Sequence, residues 1–570
     1  MTAPFWEKSY PPGVKWAMEI PNKPIWALLD EAVARFAPKT FLEFMGKRYS
    51  YAAISDLVDR AAKGFQQLGV GPGVHVGLFL PNTPHYVVCF FGILKAGGRV
   101  VNYSPLDAER ELRYKIEDSQ TDIMCTLDLN ALYPNVAKLL TGTRLKKIVV
   151  GGLPDVLPFP KNFLFPLVKS KEIAKVPKDD RHVRFTDLVA NDGRYTAHPV
   201  KDAKEEVALL QYTGGTTGVP KGAMLTHANI VSTVQMYCSW TSPKLELNEG
   251  EERVLMVLPM FHIYGLSAVL LRMMAIGAEM VLHPRFELKA VIEDLHKKKI
   301  SIFPGVPTMY AAIVNMPNIK DYDLSSLKFC ASGGAPLPAE VQDKFEYITG
   351  HKMIEGWGMT ETSPAGTQTV YGGPRKKGSC GLPLPGLIME IVDVEDPNKV
   401  LGINERGEIC ISGPNVTKGY WNKPEATAEA FAGGRFHTGD VGYMDEDGYI
   451  FIVDRKKDMI LSGGFNVYPR NIEEAIYEHP SVEECTVIGV PDEYRGQSAK
   501  AFIKLKAGAT GFSFDELKGF LKDKLGKHEM PVAMEIRDAL PKTLIGKLSK
   551  KELVEEEAKK FAASKQQATS

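Results

Sequence analysis

From residue 41 onward, short apolar runs alternate with longer segments in which apolar residues recur every three or four positions. The runs predict strands and the periodic segments predict helices, as in the strand expected at 74–80 and the buried helix expected at 84–94. Such alternation is typical of parallel sheets covered by helices. Further strands and helices are predicted at 227–240, 278–282, 287–299, 301–303, 327–331 and 338–349.

The pattern changes beyond residue 383, where the predicted strands become shorter and turns become more frequent. Strands are expected at 387–394 and 407–412, and the run DEDG at 445–448 predicts a tight turn. From residue 456 the order strand, helix, two strands, helix and strand is enough for a small α+β domain. The sequence therefore predicts a domain boundary just beyond the turn, and a charged helix in the tail at 551–570.

Residues 254–271 lack Asp, Glu, Lys and Arg and are long enough to cross a bilayer core. Pro259, His262, Tyr264 and Gly265 interrupt this segment. The interruptions favour a buried strand, a loop and a buried helix over a membrane span.

A second unusual segment, 153–184, combines apolar and aromatic residues with lysines at 161, 169, 171, 175 and 178. Apolar and basic residues together can rest on an anionic membrane. The alternative is a solvated insertion whose aromatic side chains fold onto the domain. Both interpretations stay open at this point.

Composition narrows the class of protein. The chain has 570 residues, which predicts more than one domain, and Lys plus Arg equals Asp plus Glu at 69 each, so no overall basic field points to nucleic acid. The first residues, MTAPFWEK, lack the pattern of a signal peptide, so export is not expected. The seven cysteines include no Cys-x-x-Cys pair, which favours reduced, buried thiols in the cytoplasm over disulfides or a zinc site.

The densest chemical signal is YTGGTTGVPKG at 212–222, between two apolar runs. Its glycines allow a tight backbone that points N–H groups at an anion, its threonines add hydroxyl donors, and its lysine adds a positive charge. It is not a Walker loop, because Lys221 follows Pro220 and precedes Gly222. The predicted phosphate-binding residues are Thr213, Gly214, Gly215, Thr216, Thr217, Gly218 and Lys221.

Five further stretches complete a site if this loop holds ATP and a carboxylate attacks it. They lie at 332–336, 355–362, 438–440, 454–458 and 541–548. The glycine-rich run after a predicted strand lets the backbone approach a flat base, and Trp357 offers a stacking surface. Thr360 supplies a hydroxyl for a phosphate, Glu361 a carboxylate for Mg²⁺, and Asp440 a carboxylate for two ribose hydroxyls. Taken alone, each stretch also has an explanation without any functional role: a turn, a solvated run of charges or a surface lysine.

Because all of these motifs occur together and in this order, the chain resembles the adenylate-forming superfamily of acyl-CoA synthetases, firefly luciferases and peptide-synthetase adenylation domains. Within it, the chain is most similar to bacterial medium- to long-chain fatty acyl-CoA ligases. The resemblance covers about 25–550, and the runs DRKKDMI at 454–460 and GGFNVYP at 463–469 are typical of that branch.

The resemblance implies an α/β fold. It implies a large N-terminal domain of parallel-rich sheets covered by helices, with a β-barrel-like subdomain, at 1–454. A small mobile α+β domain would follow at 455–570, with a hinge near Lys457. An acyl channel would pass near 237–240, 261–265, 303–310 and 356–359.

The implied reaction has two steps and uses ATP, Mg²⁺ and coenzyme A. A fatty carboxylate would attack the α-phosphorus of ATP and give an acyl-adenylate and pyrophosphate, after which the thiol of coenzyme A would displace AMP. Transfer to another acceptor, use of dicarboxylic acids and a non-catalytic fatty-acid-binding role are the alternatives. Location on the inner face of the cell membrane and a homodimer also stay open.

The resemblance also implies residue roles. Lys547 would bridge the carboxylate and the α-phosphate, Thr360 would bind that phosphate, and His262 would lie beside the acyl carboxylate. Glu361 and Thr216 would hold Mg²⁺, and Lys457 with Gly464 would serve the thioester step. The adenosine would contact Gly333, Gly334, Ala335, Trp357, Gly358, Asp440 and Arg455.

Overall fold

The computed structural model describes residues 3–213, 219–240, 245–374, 376–462, 465–492, 494–542 and 548–568. The chain forms two compact units. The first consists mainly of Met1–Gly214, Pro220–Ile388 and Ser412–Ala430, and the second mainly of Met389–Ile411 and Phe431–Ser570. The predicted boundary after Asp454 and the hinge near Lys457 stay predictions.

The first unit contains two sheets. Its strands are β1 (Thr40–Phe44), β2 (Lys47–Ser50), β3 (His75–Leu78), β4 (Arg99–Asn102), β5 (Thr121–Leu127), β6 (Lys147–Gly151), β7 (His182–Arg184), β8 (Val207–Thr213), β9 (Lys221–Thr226), β10 (Arg253–Met256), β11 (Glu279–Leu282), β12 (Ile302–Gly305), β13 (Phe329–Gly333), β14 (Met353–Trp357), β15 (Thr367–Gln368) and β16 (Ser379–Pro383). A seven-stranded sheet has the order β7-β6-β5-β3-β4-β8-β9, parallel except for the β8–β9 hairpin. In the second sheet, β1 and β10 to β14 pair in parallel, in the order β14-β13-β12-β10-β11-β1.

Helices cover these sheets. They are α1 (Trp26–Phe36), α2 (Tyr51–Gln67), α3 (Pro84–Lys95), α4 (Glu109–Asp118), α5 (Tyr133–Ala137), α6 (Leu153–Val156), α7 (Lys161–Val168), α8 (Phe185–Leu188), α9 (His227–Ser239), α10 (Arg272–Ala275), α11 (Leu288–Lys297), α12 (Pro307–Val314), α13 (Ala339–Thr349) and α14 (Pro424–Ala430). Every residue of α3 is buried, as its almost uninterrupted apolar sequence predicts, and Pro84 begins the helix, where the missing N–H costs nothing. Thr226 caps α9 in a reciprocal pair of hydrogen bonds with Asn229.

The charge-free segment at 254–271 is not a span. It contains the end of β10, a loop and the π-helix Tyr264–Leu271, whose residues after Tyr264 are all buried, and α10 follows directly. No helix among the described residues is long and apolar enough to cross a membrane. The predicted strand, loop and buried helix are therefore confirmed, although the helix has π geometry.

The second unit combines antiparallel strands with a small α+β part. Its elements are β17 (Ile388–Val392), β18 (Gly407–Ser412), β19 (Phe436–Met444), β20 (Ile450–Arg455), β21 (Ile460–Ser462), β22 (Phe465–Val467), β23 (Val482–Asp492), β24 (Gly496–Leu505), β25 (Ala533–Ile536), α15 (Pro469–Tyr477), α16 (Phe514–Leu521) and α17 (Lys551–Ala568). Strands β17 to β20 are neighbours in this order, with β18–β19 and β19–β20 antiparallel, and β22-β21-β24-β23 with β25 form a five-stranded sheet. Apolar faces of α15 and α16 pack on the five-stranded sheet.

Some predicted boundaries were wrong in a way that matters for the site. Strand β13 was expected at 327–331 but runs from Phe329 to Gly333, so Gly333 lies in the strand and not after it. The seven cysteines are free thiols as expected, although Cys238 and Cys380 are only partly buried.

Candidate active site

The predicted phosphate-binding motif lies at the turn end of the β8–β9 hairpin. Thr213 and Lys221 face each other in antiparallel register, and the Thr213 hydroxyl lies 3.5 Å from the carbonyl of Lys221. The two strand ends are therefore held side by side, and the motif is the connection between them. The predicted residues Gly214, Gly215, Thr216, Thr217 and Gly218 lie outside the described part of the chain.

Tyr420 connects this hairpin to the predicted magnesium ligand. The Lys221 ammonium lies 5.1 Å from the centroid of the Tyr420 ring, and the Tyr420 hydroxyl donates a 2.8 Å hydrogen bond to Glu361 Oε1. Burial and the charge of Glu361 raise the pKa of Tyr420, which therefore stays a neutral donor. The structure thus brings together two residues, Lys221 and Glu361, that are 140 positions apart in the sequence.

Thr360 and Glu361 lie on the short 3₁₀-helix Thr360–Thr362. A buried asparagine, Asn415, binds the backbone of this segment. Asn415 Nδ2 donates 2.6 Å hydrogen bonds to the carbonyls of Thr362 and Ala365. Thr360 is half-buried and Glu361 is buried, with 5% of its surface exposed. The segment that carries both predicted residues is therefore held rigidly.

Glu361 fits a role as a magnesium ligand. Mg²⁺ usually binds through one or two carboxylates together with substrate phosphates and water, and does not require a cage of protein ligands. Within the described residues there is no group of three or more His, Cys, Asp or Glu side chains arranged to hold a metal ion. A single buried carboxylate connected through Tyr420 to the hairpin that carries the predicted phosphate-binding motif suits an ion that arrives with ATP.

The predicted adenine-binding residues lie at one sheet edge. β13 and β14 are parallel, with Gly333 opposite Gly356, so Gly334 and Trp357 follow at the carboxyl ends of neighbouring strands. Gly334 has φ of +85°, a conformation that favours glycine. Ligands of parallel sheets bind at such edges.

Two of these glycines allow close approach of other groups. A Cβ on Gly358 would lie 1.5 Å from the carbonyl oxygen of Pro364, and a Cβ on Gly333 would lie 3.1 Å from the ring of Tyr264. Tyr264 in turn donates its backbone N–H to His262 Nδ1 at 3.2 Å. His262 is thus linked through Tyr264 to the strand end at Gly333, and Ala335 follows in the bend after that strand.

In the second unit, Asp440 and Arg455 form an ion pair of 2.6 Å and face each other across β19 and β20. Glu408 supports both strands, because it accepts a hydrogen bond from the Gly439 N–H at 3.0 Å and pairs with Lys456 at 2.9 Å. Lys457 is exposed in the turn that follows β20. The predicted Lys547 and Gly464 lie outside the described residues.

Comparison with known proteins decides the family. The model of the AMP-binding enzyme family matches residues 29–421, and that of the AMP-binding enzyme C-terminal domain matches 471–547. The chain belongs to the AMP-binding enzyme family. The predicted superfamily and the predicted enzyme class are therefore confirmed.

Relatives of this AMP-binding enzyme share nearly its whole length. A long-chain-fatty-acid–CoA ligase of Bacillus subtilis is 41% identical over 563 residues, covering 97% of this chain and 98% of that protein. A long-chain-fatty-acid–CoA ligase of Escherichia coli O157:H7 is 34% identical, covering 93% of this chain and 94% of the other.

Solved structures agree on the fold. The anthranilate CoA ligase AuaEII in complex with anthranoyl-AMP has a TM-score of 0.82 at 27% identity, covering 96% of this chain and 99% of that one. ATP-bound MatB from Rhodopseudomonas palustris has a TM-score of 0.81 at 28% identity, covering 94% and 99%. The predicted fold class of this AMP-binding enzyme is confirmed.

Sequence reasoning missed three residues of this AMP-binding enzyme: Tyr420, Asn415 and Glu408. Tyr420 stands in Gly-Tyr-Trp at 419–421, where an aromatic pair after glycine was the available signal. Glu408 is the one acid in the apolar strand GEICIS, and a buried acid in such a run indicates a polar network. Asn415 carried no signal, because its partners lie about fifty residues away in the sequence.

Proposed function

We propose that this enzyme joins a long-chain fatty acid to coenzyme A at the expense of ATP, through an acyl-adenylate. The observation that supports the proposal is the Lys221–Tyr420–Glu361 connection, in which one tyrosine contacts both a cation at the end of the β8–β9 hairpin and a buried carboxylate. The substrate class follows from the names of the full-length relatives.

In the first step, the carboxylate oxygen of the fatty acid bonds to the α-phosphorus of ATP, and the bond to pyrophosphate breaks. Both reactants are anions, so the site must neutralise charge while holding them in line. We assign Lys221 and its loop to the β- and γ-phosphates, Thr360 to the α-phosphate and His262 to the fatty carboxylate. Glu361 would hold Mg²⁺, which would screen the phosphate charges, and Thr216 would assist.

The remaining assignments concern the ribose, the bridging charge and the second step. Asp440 would accept the ribose hydroxyls, with Arg455 fixing the orientation of its carboxylate through their ion pair. Lys547 would bridge the two anions in step one. In step two the thiol sulfur of coenzyme A attacks the carbonyl carbon, AMP leaves and the thiol proton passes to solvent, with Lys457 as the hinge and Gly464 beside the pantetheine.

The reaction is tested by measuring AMP from ATP, Mg²⁺ and dodecanoate with and without coenzyme A. We expect sustained AMP release only when coenzyme A is present. Equal release without it would favour transfer to another acceptor. In addition, Lys547→Ala should abolish adenylation while leaving thioester formation from supplied dodecanoyl-adenylate, whereas equal loss of both half-reactions would contradict the bridging role.

We also propose that the enzyme rests on anionic membranes through α7 and its neighbours. Phe159, Phe163 and Val168 expose 84%, 67% and 74% of their surfaces, and α7 contains no buried residue. Lys161 and Lys169 flank this apolar surface, and neighbouring lysines continue the positive charge. Apolar insertion and attraction to anionic lipid would act together.

Vesicle sedimentation tests the membrane contact. Phe159→Ser/Phe163→Ser/Leu167→Ser should lose binding to vesicles rich in phosphatidylserine, whereas Val400→Ser/Ile403→Ser, which removes two exposed apolar side chains outside 153–184, should retain it. Unchanged binding of the triple variant would favour a solvated insertion. Sedimentation velocity of the same proteins measures their oligomeric state and so tests the predicted homodimer.

A further inference from the structure

Arg272 is a buried arginine in the first unit. It begins α10 directly after the π-helix Tyr264–Leu271, and only 5% of its surface is exposed. π-Helical turns are rare and frequently occur at functional sites.

The guanidinium of Arg272 lies between two aromatic rings. It is 5.1 Å from the ring centroid of Tyr237 and 5.1 Å from that of Phe329. Among the residues that the structure describes, the side chain of Arg272 has no hydrogen bond and no ion pair, and only its backbone N–H is bonded, to the carbonyls of Ser267 and Val269. Burial is the largest influence on Arg272 and lowers its pKa. The side chains that act on its charge are Cys238, Tyr237 and Tyr264, and none of them is a carboxylate.

Such an arginine is costly to maintain. A buried guanidinium carries five N–H donors, and buried charges are almost always paired with an anion. The two aromatic contacts attract the charge but provide no acceptor for its N–H groups, so they offset only part of the cost of burial. The chemistry of the site thus calls for an anionic partner.

Arg272 is also connected to the acyl end of the proposed site. The ring of Tyr264 packs against Gly333, and its hydroxyl lies 3.5 Å from the carbonyl of Ala331. Tyr264 is two residues from His262, the residue assigned to the reacting carboxylate. On the same π-helix, the buried Ser267 hydroxyl has no hydrogen-bond partner in the described structure. This part of the interior therefore contains a second polar side chain that could bind a polar ligand group.

We propose that Arg272 binds a carboxylate at the far end of the acyl substrate, so that the enzyme activates α,ω-dicarboxylic acids as well as fatty acids. The inference rests on the proposed function, because the near carboxylate must react beside His262. The far carboxylate stays ionised and accepts two parallel hydrogen bonds from the guanidinium, the geometry that arginine favours. The product is an ω-carboxyacyl-CoA, formed with the same release of pyrophosphate and AMP.

The spacing suggests the length of the acid. The guanidinium lies at the ring of Phe329, and Tyr264 packs on Gly333 at the other end of the same strand, four residues or about 13 Å away. At about 1.2 Å per bond in an extended chain, this corresponds to an acid of roughly ten to twelve carbons. Dodecanedioate and dodecanoate are therefore the matched pair of substrates.

The test compares kcat/KM for these two acids in the full-length enzyme. The wild type should use both. Arg272→Met keeps an unbranched side chain and should lower kcat/KM for dodecanedioate by about thirtyfold or more while changing that for dodecanoate less than about threefold. Arg272→Lys should retain part of the dicarboxylate activity, and Arg285→Met, which removes an exposed arginine charge in the same unit, should change neither value.

Two results would overturn the inference: a wild type that does not use dodecanedioate, or an Arg272→Met variant that loses both acids equally while remaining folded. If neither acid yields AMP in the wild type, the proposed function itself fails. If Arg272→Met does not fold, Arg272→Lys takes its place, and a Lys variant that keeps the full wild-type kcat/KM for dodecanedioate or loses both acids equally would overturn the inference. Because both ends of a dicarboxylate are then held, kcat/KM should peak at one chain length in a series of dicarboxylates, and a steady rise with length would contradict the site.

Discussion

Asn415 in the first unit and Glu408 in the second have similar tasks and different chemistry. Each is buried and each holds a segment that carries predicted site residues. Asn415 does so with two neutral hydrogen bonds to the backbone of the loop around Glu361. Glu408 does so with its charge, through Lys456 and the backbone N–H of Gly439, which precedes Asp440.

The two residues differ in how their contributions to stability depend on pH. Asn415 does not titrate, so its contribution is independent of pH. Burial alone would raise the pKa of Glu408, but hydrogen bonds from Lys456 and His437 outweigh it, and the pKa lies below its ordinary value. Since the folded-state pKa is lowered, the stabilisation by Glu408 is present above about pH 4.3 and is lost as the pH falls through the folded-state pKa.

The largest effect is expected for Asn415→Ala. It removes two hydrogen bonds, leaves the buried carbonyl of Ala365 without a donor and that of Thr362 with only the Ala365 N–H, and should lower the free energy of unfolding by about 3 kcal/mol, equally at pH 7 and pH 4. Denaturant unfolding measures this change. Asn135→Ala, which removes an exposed asparagine with a single 3.3 Å hydrogen bond, is the control and should stay within about 0.5 kcal/mol. A clear pH dependence would contradict the neutral account.

A smaller effect is expected for Glu408→Gln, which removes the charge and keeps one acceptor. The variant should lose about 2 kcal/mol at pH 7, and the difference from the wild type should shrink at a pH below 4. Glu293→Gln, at an exposed i,i+4 pair with Lys297, should cost about 0.5 kcal/mol or less. A difference between Glu408→Gln and the wild type that is constant over this pH range would show that the charge is not the stabilising element.

The smallest effect is expected for Tyr420→Phe. This change removes the hydrogen bond to Glu361 but keeps the ring beneath Lys221, so the KM for ATP should rise about fivefold, equivalent to about 1 kcal/mol. Tyr420→Leu removes both contacts and should raise the KM further. If both variants gave the same KM, the aromatic contact with Lys221 would have no role in binding ATP.

Local patterns predicted the elements that carry the site better than they predicted its supports. The glycine-rich run at 212–222 and the run at 355–362 fell at a hairpin end and at the 3₁₀-helix, because glycine, threonine and acidic residues act where they stand in the chain. Tyr420 and Asn415 act through partners far away in sequence, so a local pattern such as Gly-Tyr-Trp at 419–421 can mark a residue but cannot identify its partner. The π geometry after Tyr264 likewise follows from packing and not from periodicity.

The close approach at Gly358 has a practical consequence for engineering this enzyme. With a carbonyl oxygen 1.5 Å from where a side chain would begin, all nineteen alternatives are excluded by the backbone itself. A mutant library that randomises 357–360 would therefore waste the diversity placed at 358, and recovered variants should keep glycine there. New substrate preferences in this stretch must come from the residues on either side.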